Sequence, residues 1–165
     1  MKARLCVFAL LLCIERVQAS EFEPVNLALK NALGTTKAFP KTVPSPNGKE
    51  QIKMFYSKDD AGKAKTFAFV QKEIYPPNCT HTWVVAADAK TAKISKIRVV
   101  EMSCPHAFPT KEANYLSQYM GKGPADVATL DKKIDTIAKA TGSCNLTTTA
   151  VKRTIQMAAK LKGTL

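Results

Sequence analysis

The sequence predicts an α+β fold, a twisted antiparallel sheet with helices packed on it, and three observations carry that expectation. An amphipathic helical segment opens the chain body. A succession of apolar runs broken by turn signals follows. A second amphipathic helix closes the chain. At 165 residues the chain is long enough for one domain with a sizeable core.

Taken in order, Glu21 to Leu33 places Val25, Leu29 and Leu33 four residues apart, and Gly34 stops the helix. Thr35 to Lys49 carries three prolines and Gly48 and reads as a loop. Gln51 to Ser57 alternates through Ile52, Met54 and Tyr56, a strand pattern. Asp59-Asp60-Ala61-Gly62 is a hairpin-type turn into a strand over Lys65 to Lys72, which Tyr75-Pro76-Pro77-Asn78 interrupts. Thr80 to Asp88, with Trp83-Val84-Val85-Ala86-Ala87, reads as a buried strand, and Lys93 to Met102 as its neighbour. These elements make a meander of about four strands after one helix.

The stretch from Ala92 to Lys160 organises the rest. Glu112 to Met120 reads as a short helix with Leu116, Tyr119 and Met120 inward, ended by Gly121-Lys122-Gly123-Pro124. Lys133 to Ala138 reads as a short strand. Thr147 or Thr148 is the expected N-cap of the last helix, with Val151, Ile155, Ala158 and Ala159 inward. The hydroxyl-rich turn between them, Thr141 to Thr149, would offer backbone N–H groups and hydroxyls to a phosphate, with Lys139 and Lys152 close by. Caps and turns commonly have the same composition, so the turn alone does not establish a site.

Residues 1–19 read as a signal peptide: Lys2 and Arg4, a short apolar run from Leu5 to Ile14, and Val17-Gln18-Ala19 before the cleavage point. About ten apolar residues fall short of the roughly twenty that span a membrane. Residues 20–165 then form a single exported domain. Losing three basic and one acidic residue takes the formal net charge from +12 to about +10. A basic surface suits an anionic ligand, an acidic partner protein or an anionic membrane surface. The lysines are dispersed with no aromatic platform among them, which argues against nucleic acid. Cys79, Cys104 and Cys144 remain after cleavage, one disulfide and one thiol in an oxidising compartment, with the pairing open.

The order of motifs resembles the FMN-binding domain of periplasmic flavoproteins in bacterial respiratory and electron-transfer complexes. The likeness runs over roughly residues 25–160. Trp83 to Asp88 followed by Lys93-Ile94 is similar to the family's strand, turn and "GKI" strand start. Glu101 stands where the family has a Glu before its first flavin-contacting loop. Tyr115-Leu116-Ser117-Gln118-Tyr119-Met120-Gly121-Lys122 resembles "WL-x-QF-x-GK", and Ile134-Asp135 through Val151 resembles "DAxSGATxTSxAV". Two departures stand out. Met102-Ser103-Cys104-Pro105-His106 replaces a Thr-Pro-Gly loop, and the attachment motif aligns two ways. Counting forward from Asp135 puts Thr141 at the attachment threonine; counting back from the last helix puts Asn145 there, whose amide can form no phosphoester.

The resemblance implies an exported FMN-binding protein acting in electron transfer, periplasmic or on the outer face of the membrane, rather than a stand-alone enzyme. The cofactor is FMN, covalent or not. The implied partners are a redox protein, a flavin transferase and a membrane complex. The implied cofactor contacts are Thr141, Gly142, Ser143, Asn145, Thr147, Thr148, Glu101 and Cys104, with the Cys104 loop as a wall for the ring. It also implies a Cys104–Cys144 disulfide between the two flavin loops, either bracing them or exchanging electrons with the flavin. The second reading is a flavin-free or metal-holding binding protein on the same fold. Its ligands would be the pairs Cys79-Thr80-His81 and Cys104-Pro105-His106, whose spacing matches no known finger. Two histidines and no Ser/His/Asp order leave little for a hydrolytic triad.

Overall fold

The computed structural model describes residues 22–165; the signal peptide expected over residues 1–19 lies outside the described residues. Nine residues of helix α1 (Val25–Leu33) lead into strands β1 (Phe39–Pro44), β2 (Gln51–Lys58), β3 (Ala64–Tyr75), β4 (Cys79–Asp88) and β5 (Ile94–Met102). They form one antiparallel meander in the order β1-β2-β3-β4-β5. A 3-10 helix (Pro105–Lys111), the short helices α2 (Ala113–Ser117) and α3 (Leu130–Lys133), a second 3-10 helix (Pro124–Thr129) and the long helix α4 (Thr141–Leu161) follow. Among the described residues no helix is long and apolar enough to cross a membrane.

The sheet is covered on both faces, which explains the unbroken apolar run in β4. On one face α1 sets Ala28, Leu29, Ala32 and Leu33 against Ala68, Val84 and Ala86. Small residues on both sides let that helix approach the sheet closely. On the other face α4 sets Val151, Ile155 and Ala158 over Phe67, Phe69, Trp83 and Val85, the larger core. Alternation along β4 thus feeds two cores, and His81 through Ala87 are all buried.

Five expectations are corrected. The proline-rich loop contains β1, because at a sheet edge Pro40 and Pro44 need no ladder partner on their solvent side. Lys133–Ala138 is not a strand. Its apolar Ile134 is buried, but the Gln118 side-chain amide takes both backbone groups of Asp135: Asp135 N–H donates to Gln118 Oε1 at 2.8 Å, and Gln118 Nε2 donates back to the Asp135 carbonyl at 3.5 Å. A single amide stands in for a neighbouring strand. α4 begins at Thr141, not at Thr147 or Thr148, and its N-cap is Ala140. Thr147 and Thr149 turn their hydroxyls back to the carbonyls four residues earlier, Ser143 and Asn145, each at 2.9 Å, so they serve the helix interior. Finally, Met120 and Ala159, expected inward, are exposed.

The fifth correction concerns the expected Cys104–Cys144 disulfide. Cys79 pairs with Cys104, and Cys144 is a buried free thiol. The antiparallel β4–β5 pairing dictates this. His81 lies opposite Met102, so the chain leaving β5 returns past the start of β4, and Ser103 and Thr80 exchange hydrogen bonds there. The Cα atoms of Cys79 and Cys104 are 5.5 Å apart as a result. Cys144 instead accepts the Ile137 N–H at 3.4 Å within the turn that precedes α4.

Candidate functional site

One end of the sheet gathers the residues with chemistry. The β3–β4 hairpin, the loop after β5 and the first turn of α4 meet there. Cys79 and Cys104 tie the first two together, and two contacts bring in the third. Gly142 lies under the Tyr75 ring, so closely that a Cβ at position 142 would sit 2.4 Å from Tyr75 Cε2. Ser143 Oγ lies 2.9 Å from His81 Nε2.

His81 is fully buried and its ring faces Trp83 at 5.5 Å, stacked. Its Nδ1 lies 3.1 Å from the Cys79 carbonyl oxygen. A carbonyl can only accept, so Nδ1 carries the proton and Nε2 is left as an acceptor for the Ser143 hydroxyl. Burial lowers the His81 pKa below 6.5, with the Cys79 bond opposing, so the imidazole is neutral at pH 7. Trp83 Nε1 is buried with no hydrogen-bond partner among the described residues.

The start of α4 presents backbone donors with no side-chain cap. Its first helical bond runs from Cys144 N–H to the Ala140 carbonyl. The N–H groups of Thr141, Gly142 and Ser143 precede that bond and have no acceptor within the helix. Ala140 supplies no side-chain cap and the first turn holds no acid. Thr141 and Asn145 are exposed and share a face one turn apart, while Ser143, Thr147 and Thr148 are buried.

The expected contacts therefore divide. Thr141, Gly142 and Asn145 stand at the surface of the helix start. Ser143 points inward to His81. Thr147 bonds its own helix, and Thr148 Oγ1 meets Tyr119 Oη at 2.8 Å, which meets Tyr115 Oη at 2.8 Å. Burial raises the pKa of both tyrosines, so this internal chain is neutral and structural. Glu101 is on the opposite face of the sheet. The β4–β5 register shifts between Thr82 and Trp83, pairing Glu101 with Thr82, whose hydroxyl donates to it at 3.2 Å on the α1 side. Cys104 is half-buried beside the site, held in the disulfide. Lys152 pairs with Asp131 and lies eleven residues into α4, about 16 Å from its start at 1.5 Å per residue. Lys139 precedes the helix with φ +67°.

The Cys-x-His pairs cannot offer two thiolates, because their cysteines are joined to each other. Among the described residues no group of three or more His, Cys, Asp or Glu gathers to hold a metal. Surface clefts of about 480 Å³ (Val25, Ile52, Phe55, Arg153) and about 360 Å³ (Val127, Ile155, Lys160) lie elsewhere. Sequence reasoning named His81 only as a metal ligand, not as the partner of Ser143, and missed Tyr75. Strand alternation from Trp83 puts His81 on the α4 face, which was the available signal; nothing local announces that Tyr75 covers Gly142. No family model, no curated protein and no solved structure matches this chain.

Proposed function

We propose that the chain is an exported FMN-binding electron-transfer domain that holds the cofactor phosphate at the first turn of α4. The observation that carries this reading is the uncapped, acid-free helix start with Thr141 exposed at its first position. Three unpaired N–H groups and the positive end of a 21-residue helix favour a dianionic phosphate. The residues present fit that end of the cofactor. Thr141 is exposed at the first helical position whereas Asn145 lies a full turn inside, which favours Thr141 as the phosphate contact. Tyr75, 48% exposed beside Gly142, gives the ring an aromatic surface.

Bound FMN would supply one- and two-electron transfer. The protein's part is to fix the phosphate, order the neighbouring loops through Cys79–Cys104 and keep the site basic. A formal net charge of about +10 after loss of residues 1–19 suits an acidic redox partner. The flavin-free reading draws on a different observation: Ser143, Thr147 and Thr148 spend their hydroxyls internally, leaving one hydroxyl, Thr141, at the mouth.

The test is the visible absorption and intact mass of protein exported from a host carrying a flavin transferase. A yellow protein with FMN retained after denaturation, mapped to Thr141, supports covalent attachment. Yellow protein that releases FMN supports non-covalent binding. A colourless protein that does not bind added FMN overturns the reading.

A further inference from the structure

We propose that Ser143 is a His81-activated nucleophile that accepts acyl groups from small, uncharged, activated carboxylic esters. This activity belongs to the flavin-free protein, because the Thr141 and Ser143 N–H groups it uses are those a bound phosphate would occupy. Ser143, His81 and the Cys79 carbonyl form a continuous relay: Ser143 Oγ to His81 Nε2 at 2.9 Å, and His81 Nδ1 to Cys79 O at 3.1 Å. The proton directions follow from the carbonyl, which forces Nδ1–H and leaves Nε2 to take the serine proton. That is the arrangement of a Ser-His pair whose third member fixes the tautomer, here a backbone carbonyl in place of a carboxylate. The pair joins residues 62 apart in sequence, so no linear motif shows it.

The surroundings fit the chemistry. Ser143 is the third residue of α4, and its own N–H and that of Thr141 precede the first helical bond. A serine nucleophile's own N–H with the N–H two residues earlier is a known donor pair for the oxyanion of acyl transfer. His81 is fully buried, which fixes its ring against Ser143. Ser143 is 8% exposed, under the hairpin that carries the half-exposed Tyr75. The low exposure of Ser143 would restrict acyl donors to small esters.

In the step, Ser143 Oγ bonds to the ester carbonyl carbon as its proton passes to His81 Nε2. The C–O bond to the leaving alkoxide or phenoxide then breaks, and that group takes the proton from His81. Water repeats the sequence at the acyl-serine, releasing the carboxylic acid and restoring the serine.

Purified, folded full-length protein is treated with a small fluorophosphonate and its mass followed over time, with urea-unfolded protein alongside. The expected result is one adduct on Ser143, formed at least tenfold faster in the folded protein, absent in Ser143→Ala and at least tenfold slower in His81→Gln. No adduct on the folded protein, an adduct that persists in Ser143→Ala, or equal rates folded and unfolded would each overturn the proposal. The folded-against-unfolded comparison decides the matter even where His81→Gln does not fold.

Discussion

Replacing both Cys79 and Cys104 by alanine should destabilise the protein by about 3.5 kcal/mol. The bridge spans a sequence separation of 25, and chain-entropy loss for a loop of that size, 2.1 plus 1.5R ln n, comes to about 12 cal/mol/K, or about 3.5 kcal/mol at 25 °C. For a domain of this length that is a fall in Tm of roughly 7–14 °C. Adding a reductant to the native protein should produce the same shift, and adding it to the double variant should produce none. Cys144→Ala behaves differently. It leaves the disulfide intact and costs only the lost packing of one buried sulfur and its bond from Ile137 N–H, about 1–2 kcal/mol. The assay is urea unfolding with and without reductant, alongside peptide mapping under non-reducing conditions. A Cys104–Cys144 peptide pair, or a Cys144→Ala variant that has lost all response to reductant, would refute the reasoning. The geometry of the site would then fail with it, since Cys79 anchors the strand end that carries His81.

Protonation of His81 gives a pH signature. Its folded pKa lies below 6.5, so the unfolded chain binds more protons and the His81 contribution to stability is complete above pH 6.5. It declines by up to about 1.4 kcal/mol per pH unit as pH falls from 6.5 towards the folded pKa, then levels off; urea midpoints at pH 7.5, 6 and 5 should show the fall, and a flat profile would count against a neutral buried imidazole. Tyr119→Phe removes the central hydroxyl of the Tyr115–Tyr119–Thr148 chain and should cost about 1–2 kcal/mol. Combining it with Thr148→Val should cost less than the sum of the two, because the pair is coupled, and strict additivity would show that it is not. Gly142→Ala must push the Tyr75 ring outward, yet stability should move by no more than about 1 kcal/mol, since the ring is half-exposed and alanine favours the helix. A loss of several kcal/mol would mean the ring is locked in place.

Much of the fold is legible in the sequence because its signals are local. The alternation of β2 through β5 and the four-residue spacing in α1 and α4 follow from which faces are buried. What escaped is what depends on distant partners. β1 hides behind prolines that only an edge position tolerates. Ile134 and Ile137 imitate a strand, and nothing near them shows that the Gln118 amide replaces the neighbouring strand. The threonines of α4 look like caps until the helix is seen to start at Thr141, after which their hydroxyls turn to carbonyls four residues back. The site divides in the same way. Thr141, Gly142 and Asn145 are readable as a helix mouth, but Ser143 faces His81 and Glu101 faces α1 through a register shift that no pattern in β5 announces. The cysteine pairing follows strand register, which composition does not carry.

The central claim, that the start of α4 receives a flavin phosphate, is tested most directly by comparing FMN with riboflavin, which lacks the phosphate, on the protein and on Thr141→Asp. Flavin fluorescence quenching measures both affinities. The account predicts that FMN binds at least tenfold more tightly than riboflavin, and that an aspartate in the first turn abolishes the difference by occupying the N–H groups and repelling the phosphate. Equal affinity for the two flavins, or an FMN preference that survives in Thr141→Asp, would contradict it.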